Sequence, residues 1–247
     1  MRLAETRAVR REALTVILPI VDTGLALDAV RGSETWAIGS CRGAFTGALH
    51  DHRLEQLVSS IPGREQRMAS LVLKMSVSLD GYVAPLDGST DWIAAGGSED
   101  GLSWTVETVS NAGTHLIGAA TYAGWAGYWP SASGPFAKPM NEIPKVVFSD
   151  SLASAGWGET TIATGDLAEA ITRLKQERSG GYLLAHGGAR FARSLVQTGL
   201  IDEYRLLIHP VVLGAGERIF LVPLTIEPVS TTVFSGGAVA HVFAAHP

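Results

Sequence analysis

The chain lacks most of the features that mark secreted, membrane or nucleic-acid-binding proteins. Cys41 is the only cysteine among 247 residues, so no internal disulfide can form. No apolar run approaches the roughly 20 residues that a membrane-spanning helix needs. The formal net charge is −5 and the sequence pI is about 5.8, and neither value implies the basic face of a nucleic-acid-binding protein.

The start of the chain does not have the pattern of a signal peptide. Arginines precede a short apolar run over residues 14–21, but Pro19 and Asp22 interrupt it and no clear cleavage site follows. The histidines are dispersed without metal-ligand spacing, so we expect no metal site. Ser149 and Ser194 have neither a nearby base nor a G-x-S-x-G elbow, which argues against hydrolase chemistry. We therefore expect a cytoplasmic, soluble protein without membrane or nucleic-acid partners.

Composition changes near Met68. Residues 1–67 contain nine arginines, no lysine and the only cysteine, and their pattern offers one candidate helix over 52–59. Two interpretations stand: a poorly ordered or loosely attached extension, or a translation start at Met68 with translated GC-rich non-coding DNA before it. We favour the start at Met68 and predict one domain over residues 68–247.

From Met68 onward, strand patterns alternate with helical patterns. Strands are predicted over 70–78, 115–118, 144–148, 160–163, 182–185 and 204–209, with a terminal hairpin over 231–234 and 238–244. Helices are predicted over 101–112, from 121 to 125, after Asp166, and over 188–198. Strands that alternate with helices predict an α/β fold with a mostly parallel sheet covered on both faces. The hairpin adds antiparallel edge strands.

Two adjacent glycines, Gly187 and Gly188, stand between a predicted strand and a predicted helix. Glycines at such a junction let the backbone approach a ligand, and the helix N-terminus favours an anion such as phosphate. A tight turn without a ligand explains the pair about equally well. His186 precedes the glycines and is interpreted either as a ligand contact or as a satisfied buried histidine.

Five motifs stand in a fixed order along the second part of the chain. They occupy residues 75–84 (MSVSLDGYVA), 116–122 (LIGAATY) with 128–130 (YWP), 141–149 (NEIPKVVFS), 186–188 (HGG), and 199–206 (GLIDEYRL) with 210–216 (PVVLGAG) and 219–220 (IF). Their order and spacing resemble the dihydrofolate-reductase-like superfamily. Within it, the match is to the bacterial branch that shares the reductase domain of bifunctional riboflavin-biosynthesis proteins. The resemblance covers residues 70–246.

The resemblance implies NAD(P)H-dependent reduction of a small pterin- or pyrimidine-like heterocycle, and it is compatible with a homodimer. NADPH is the cofactor expected from the family. The residues implied at the nicotinamide are Val77, Val83 and Ala84; those at the phosphates are Gly118 and Thr121; the one at the adenosine ribose is Ser149; and those at the pyrophosphate are Gly187, Gly188, Ala189 and Arg190.

Two departures from the family pattern lower the affinity expected for NADPH. Ala119 stands where the family has an arginine for the extra phosphate, and Asp150 stands where arginine is common. A 2′-phosphate is held by charge-assisted hydrogen bonds, whereas a carboxylate near the ribose is typical of NADH sites. The sequence therefore leaves NADPH and NADH both open.

The resemblance does not identify a proton donor. Folate reducers use a carboxylate on the helix after the first strand, where this chain offers Glu99, Asp100 and Glu107 without a motif that selects one. Asp80 and Trp92 are candidates on the substrate side, although Asp80 also suits a turn before Gly81 and Trp92 also suits core packing. A non-catalytic dinucleotide-binding protein that kept the fold is the alternative function.

Overall fold

The computed structural model of the chain describes residues 28–31, 36–39, 68–178 and 180–245. The chain divides into two units, residues 1–64 and 65–247. In the first unit, β1 (Asp28–Arg31) and β2 (Trp36–Gly39) form an antiparallel pair. These strands were not predicted, because four residues are too few for an alternating pattern to stand out. The candidate helix over 52–59 lies outside the described residues.

The second unit contains eight strands in one sheet. The strands are β3 (Leu71–Ser78), β4 (Ala112–Gly118), β5 (Lys145–Phe148), β6 (Thr160–Ala163), β7 (Tyr182–His186), β8 (Glu203–His209), β9 (Ile226–Val233) and β10 (Val239–Ala245). The helices are α1 (Glu99–Ser110), α2 (Ala119–Tyr128), α3 (Ala137–Glu142), α4 (Leu167–Glu177) and α5 (Ala189–Thr198), with short 3-10 helices at Asp91–Ala94 and Trp129–Ser131.

The sheet has the order β6-β5-β4-β7-β3-β8-β10-β9. The strands from β6 to β8 pair in parallel, and β10 pairs antiparallel with both β8 and β9. The mostly parallel sheet with an antiparallel C-terminal hairpin at its edge is confirmed. Parallel strands need crossover connections, and the helices provide them for most of the sheet.

Apolar residues fill both faces of the sheet, because successive side chains of a strand point to opposite sides. Leu116 of β4 and Val146 of β5 belong to one core cluster, which includes Ile171 of α4. Their neighbours Ile117 and Val147 belong to a second cluster, which includes residues of α1, α2 and α3. The central strands are therefore buried on both sides, as their continuous apolar runs indicate.

Several helix boundaries follow the predicted signals. Asp166 caps α4, and its Oδ1 accepts a hydrogen bond of 2.9 Å from the amide of Glu169. Gly199 ends α5 with a φ of 68° in the left-handed region. These termini were predictable because the capping residue itself supplies the hydrogen bond or the unusual backbone angle.

Other boundaries differ from the prediction. The predicted helix over 101–112 begins earlier and ends at Ser110, and β4 begins at Ala112 rather than at His115. Gly113 within β4 conceals the strand pattern; a Cβ there would lie 3.0 Å from the carbonyl oxygen of Gly180. Helix α3 was missed because Pro139 interrupts its pattern. Within the described residues, no helix is long and apolar enough to cross a membrane.

Candidate functional site

Two adjoining cavities lie where β4 and β7 end and α2 and α5 begin. The outer cavity has a volume of about 520 Å³, and the inner chamber has a volume of about 490 Å³. Both are lined by Ala84, Gly88, Gly188 and Ala189, so they form one cleft. Ligands of parallel α/β sheets commonly bind at the carboxyl ends of the strands.

One part of the outer cavity, at the starts of two helices, has the features of an anion site. Gly118 and Gly188 are the N-cap residues of α2 and α5, and no side chain of the described residues caps either helix. Both helix N-termini therefore present free amide groups to one cavity, where the helix dipoles favour negative charge. Arg190 also lines this cavity, is exposed, and has no ion-pair partner among the described residues. Arg193, by contrast, pairs with Glu217.

The fold itself requires glycine at positions 187 and 188, and glycines there also suit a ligand. Gly187 and Gly188 both have φ of +71°, a region that side chains with a Cβ rarely adopt. A Cβ on Gly187 would lie 2.8 Å from the ring of Trp125, and one on Gly188 would lie 2.5 Å from the hydroxyl of Thr121. A valine at Gly188 would therefore collide first with Thr121 of α2, before it reached any ligand.

The inner chamber has aromatic and apolar walls with a few polar groups. Its apolar lining includes Val109 of α1, Trp125 and Trp129 near α2, and Phe136 and Met140 near α3. The polar lining consists of Lys74, Ser76, Thr90, Thr105 and His186. Walls of this kind suit a flat ring, and the few polar groups can orient it.

Lys74 is the cation of the inner chamber. It lies in the middle of β3, and the described residues give its ammonium neither a hydrogen bond nor an ion pair. Burial lowers the pKa of Lys74 to about 8, since desolvation disfavours the charged form. Sequence reasoning missed this residue. The available signal was a lysine in a run of strand residues that are otherwise apolar or small.

A third cavity of about 520 Å³ extends the inner chamber. The two share Lys74, Ser76, Ile93, Thr105 and Phe136. The extension is also lined by Glu99 and His209. Of the three carboxylates weighed as proton donors, Glu99 lies at this extension, while Asp100 accepts hydrogen bonds from the backbone and hydroxyl of Ser235 at 2.9 Å.

Most of the residues implied at the cofactor line the cleft. Two do not, Val77 and Ser149. Val77 is buried in the core cluster that contains Ile171. The Ser149 hydroxyl accepts a hydrogen bond of 3.0 Å from the amide of Leu152 and so stabilises its own turn. Those that line the outer cavity, the inner chamber or both are Val83, Ala84, Gly118, Thr121, Gly187, Gly188, Ala189 and Arg190.

The two substrate-side candidates have structural contacts instead. The Asp80 carboxylate accepts hydrogen bonds from the Ser78 hydroxyl at 2.6 Å and from the amide of Gly214 at 2.7 Å, and these bonds hold its pKa near 2. It therefore joins the turn after β3 to a distant loop. Trp92 is buried edge-on against His209 at a ring distance of 5.4 Å. Neither residue lines the cleft.

Ala119 and Asp150, the two departures from the family pattern, lie in different places relative to the outer cavity. Ala119 lines the outer cavity at the start of α2. Asp150 does not line it, and its Oδ1 accepts a hydrogen bond of 3.0 Å from the amide of Gly165. Of the two residues, only Ala119 therefore lies at the outer cavity. No group of three or more His, Cys, Asp or Glu side chains within the described ranges could hold a metal ion.

Comparison with known proteins identifies what this chain is similar to. The family model for the RibD C-terminal domain matches residues 69–239. The uncharacterized protein YyaP of Bacillus subtilis (strain 168) is 28% identical over 181 residues, which cover 70% of this chain and 93% of YyaP. A Shewanella sp. PV-4 protein assigned to riboflavin biosynthesis superimposes with a TM-score of 0.59 at 19% identity, over 72% of this chain and 99% of its own.

Two enzymes of known class share the fold. A diaminohydroxyphosphoribosylaminopyrimidine deaminase/5-amino-6-(5-phosphoribosylamino)uracil reductase from Thermotoga maritima has a TM-score of 0.54 at 18% identity, over 73% of this chain and 58% of its own. Dihydrofolate reductase from Enterococcus faecalis, in complex with NADP(H), has a TM-score of 0.50 at 12% identity, over 72% of this chain and 97% of its own. The predicted dihydrofolate-reductase-like fold is confirmed.

Proposed function

This chain belongs to the RibD C-terminal domain family, and from that premise we propose that it is an NAD(P)H-dependent reductase of a small pterin- or pyrimidine-like heterocycle. The observation that carries the proposal is the two-part cleft. Its outer cavity suits phosphates, and its inner chamber suits a planar ring beside a lysine that has no charge partner in the described part of the chain. The two parts meet at Ala84, Gly188 and Ala189.

The outer cavity fits a dinucleotide. The free amides at the starts of α2 and α5 and the Arg190 guanidinium would hold the phosphates. The shared residues Ala84 and Ala189 would then contact the nicotinamide at the entrance to the inner chamber. When bound, the reduced nicotinamide supplies the hydride for a C=N or C=O bond. The structure of Enterococcus faecalis dihydrofolate reductase with NADP(H) supports a cofactor of this class.

The inner chamber would bind and orient the substrate. Trp125, Trp129 and Phe136 would pack against a planar ring and exclude water from it. The Lys74 ammonium would donate a hydrogen bond to a ring oxygen or nitrogen. Hydride addition requires a proton at the reduced bond, and a pKa of about 8 suits Lys74 as its donor near neutral pH.

The proposal is tested by titration with NADPH and NADH, followed by a screen of oxidised pterins and pyrimidines. We expect dissociation constants in the micromolar range for at least one dinucleotide, and substrate-dependent loss of the absorbance of the reduced nicotinamide. Absence of binding of both dinucleotides to the folded protein would reject the reductase.

A non-catalytic dinucleotide-binding protein is the second candidate. Asp80 and Trp92 lie outside the cleft, and Ala119 offers no cation for the extra phosphate of NADPH. Both observations favour a protein that kept the fold and lost the catalytic activity. Tight dinucleotide binding without oxidation of NADPH or NADH by any heterocycle of the screen would support it.

A further inference from the structure

A pair of buried histidines connects α3 to the inner chamber. His115 of β4 is fully buried, and its Nε2 lies 3.2 Å from the carbonyl oxygen of Pro139. A carbonyl oxygen only accepts hydrogen bonds, so Nε2 of His115 carries the proton and donates it. Burial lowers the pKa of His115 to about 4, and the neutral ring has one N–H. Its Nδ1 is therefore an acceptor.

The protonation of His186 follows from that of His115. Nε2 of His186 lies 3.0 Å from Nδ1 of His115. Because Nδ1 of His115 accepts, Nε2 of His186 must donate. Burial also lowers the pKa of His186 well below its usual value, so this ring is neutral as well. Its remaining nitrogen, Nδ1, is left with a free lone pair.

The free nitrogen of His186 is available to a ligand. His186 lines the inner chamber, and the described residues provide no partner for its Nδ1. Among the described residues, the side-chain nitrogen and oxygen atoms that are fully buried without a hydrogen-bond partner belong to Trp92, Ser98, Trp129 and His209. Nδ1 of His186 is not one of these fully buried atoms. Lys74 is the register partner of His186 on the neighbouring parallel strand, so both side chains lie on the same side of the sheet.

We propose that Lys74 and His186 together recognise a cyclic amide edge of the substrate, and that His115 is the positioning residue that fixes the tautomer required. The Lys74 ammonium donates to the ring carbonyl, and Nδ1 of His186 accepts from the adjacent ring N–H. The inference rests on the proposed function, and it adds the residues that would distinguish a ring amide with a free N–H from one that carries a substituent.

The lactam N–H decides specificity because a mismatch is costly. A ring whose nitrogen carries a methyl group cannot donate to His186, and it would leave a buried acceptor without a partner. A lysine alone would donate a hydrogen bond to any ring carbonyl, whether or not the adjacent nitrogen carries a hydrogen. The histidine therefore makes the chamber discriminate between rings of nearly the same size and shape.

The first experiment measures the tautomer by ¹⁵N NMR of the histidine rings in the full chain. We expect Nδ1 of His186 to have the shift of an unprotonated nitrogen and Nε2 that of a protonated one. In His115→Phe, and in His115→Gln should the phenylalanine variant not fold, the His186 shifts should move toward a mixture of tautomers. A protonated Nδ1 in the wild-type protein would overturn the inference.

The second experiment compares pterin with its 3-methyl derivative by direct binding, read from tryptophan fluorescence with the dinucleotide present. We expect pterin to bind at least about tenfold more tightly. His186→Phe should reduce the ratio to below about twofold, whereas His241→Gln, a change on β10, should leave it unchanged.

Equal binding of the two pterins by wild type, or no binding of either, would overturn the inference. The reductase proposal has a separate readout, because dinucleotide binding and turnover can fail or succeed independently of this ratio. Turnover with equal affinity for both pterins would reject only the lactam recognition.

Discussion

The outer cavity and the inner chamber are built from different materials. The outer cavity contains the backbone amides of two helix starts and one exposed arginine, set among apolar side chains that include Phe148 and Phe191. The inner chamber consists of side chains from β3, α1, α2, α3 and β7. Mutation changes the backbone amides of a site little, whereas it can replace the side chains of a site one by one. Under the proposed function, backbone amides would bind the cofactor phosphates and the side chains of the chamber would select the substrate.

Two lysines of the sheet, the buried Lys145 and the half-buried Lys74, sharpen the same contrast. Lys145 donates hydrogen bonds to the carbonyl oxygens of Asn141 at 3.1 Å and Ile143 at 2.8 Å, and lies 4.6 Å from the ring centre of Trp157. Lys74 has no such partner among the described residues. Burial lowers the pKa of each to about 8. Lys145 is thus satisfied by the fold, and Lys74 retains hydrogen-bonding capacity for a ligand.

The largest expected effect separates the two cavities. Lys74→Met removes the proposed proton donor, so turnover should fall at least about a hundredfold. The dissociation constant of the preferred dinucleotide should change less than about twofold, because the outer cavity is untouched. Steady-state kinetics and cofactor titration check both values. The matched control is Lys138→Met, an exposed change on α3 that should alter neither.

The next effect concerns the outer cavity alone. Ala119→Arg places a guanidinium at the start of α2, and it should strengthen NADPH binding by about tenfold to a hundredfold while NADH changes little. Only NADPH has the additional phosphate. Asp150→Ser should have a smaller effect, since that carboxylate already bonds to the Gly165 amide outside the cavity. A wild-type protein that already prefers NADPH about a hundredfold would contradict this role for Ala119.

Turnover should depend on pH through the inner chamber. With its pKa at about 8, Lys74 is an ammonium below that pH and a neutral amine above it. Activity that needs the ammonium is therefore full well below pH 8, about half at pH 8, and falls about tenfold for each further pH unit well above it. Dinucleotide binding should not follow this profile. A pH–rate curve that stays flat between pH 7 and 9 would reject the assignment of the proton donor to Lys74.

A smaller effect is expected at the exposed wall of the outer cavity. Arg190→Ala should weaken binding of NADPH and NADH alike by about threefold to tenfold, because an exposed cation is screened by solvent and salt. The loss should shrink as ionic strength rises. Arg173→Ala, an exposed change on α4 away from the cleft, is the control. An effect of equal size in both variants would mean that Arg190 acts only through net charge.

The smallest effect should come from removing residues 1–67. A chain that begins at Met68 should bind the dinucleotide with unchanged affinity, because the described residues of both cavities belong to the second unit. The melting temperature should also stay within a few degrees. A large decrease in either quantity would show that the first unit supports the second.

The parts of the site that sequence reasoning found are those with a local cause. Gly118, Gly187 and Gly188 stand at strand-to-helix junctions, and a short motif records such a junction. Lys74 and His186 become neighbours only when β3 pairs with β7, and the chain separates them widely. Asp80 belongs to a motif but does not line the cleft, because its carboxylate accepts hydrogen bonds from the amides of Leu213 and Gly214.

The sequence by itself determined the α/β class, the parallel sheet with its terminal hairpin, the helix caps and the glycine junctions, because each is recorded by the periodicity or turn chemistry of neighbouring residues. The tertiary structure decided which residues face the cleft. Val77 and Lys74 lie in one strand, yet Val77 is in the core and Lys74 lines the chamber. Sheet pairing and helix packing set those orientations, since they decide which side of each strand another element covers.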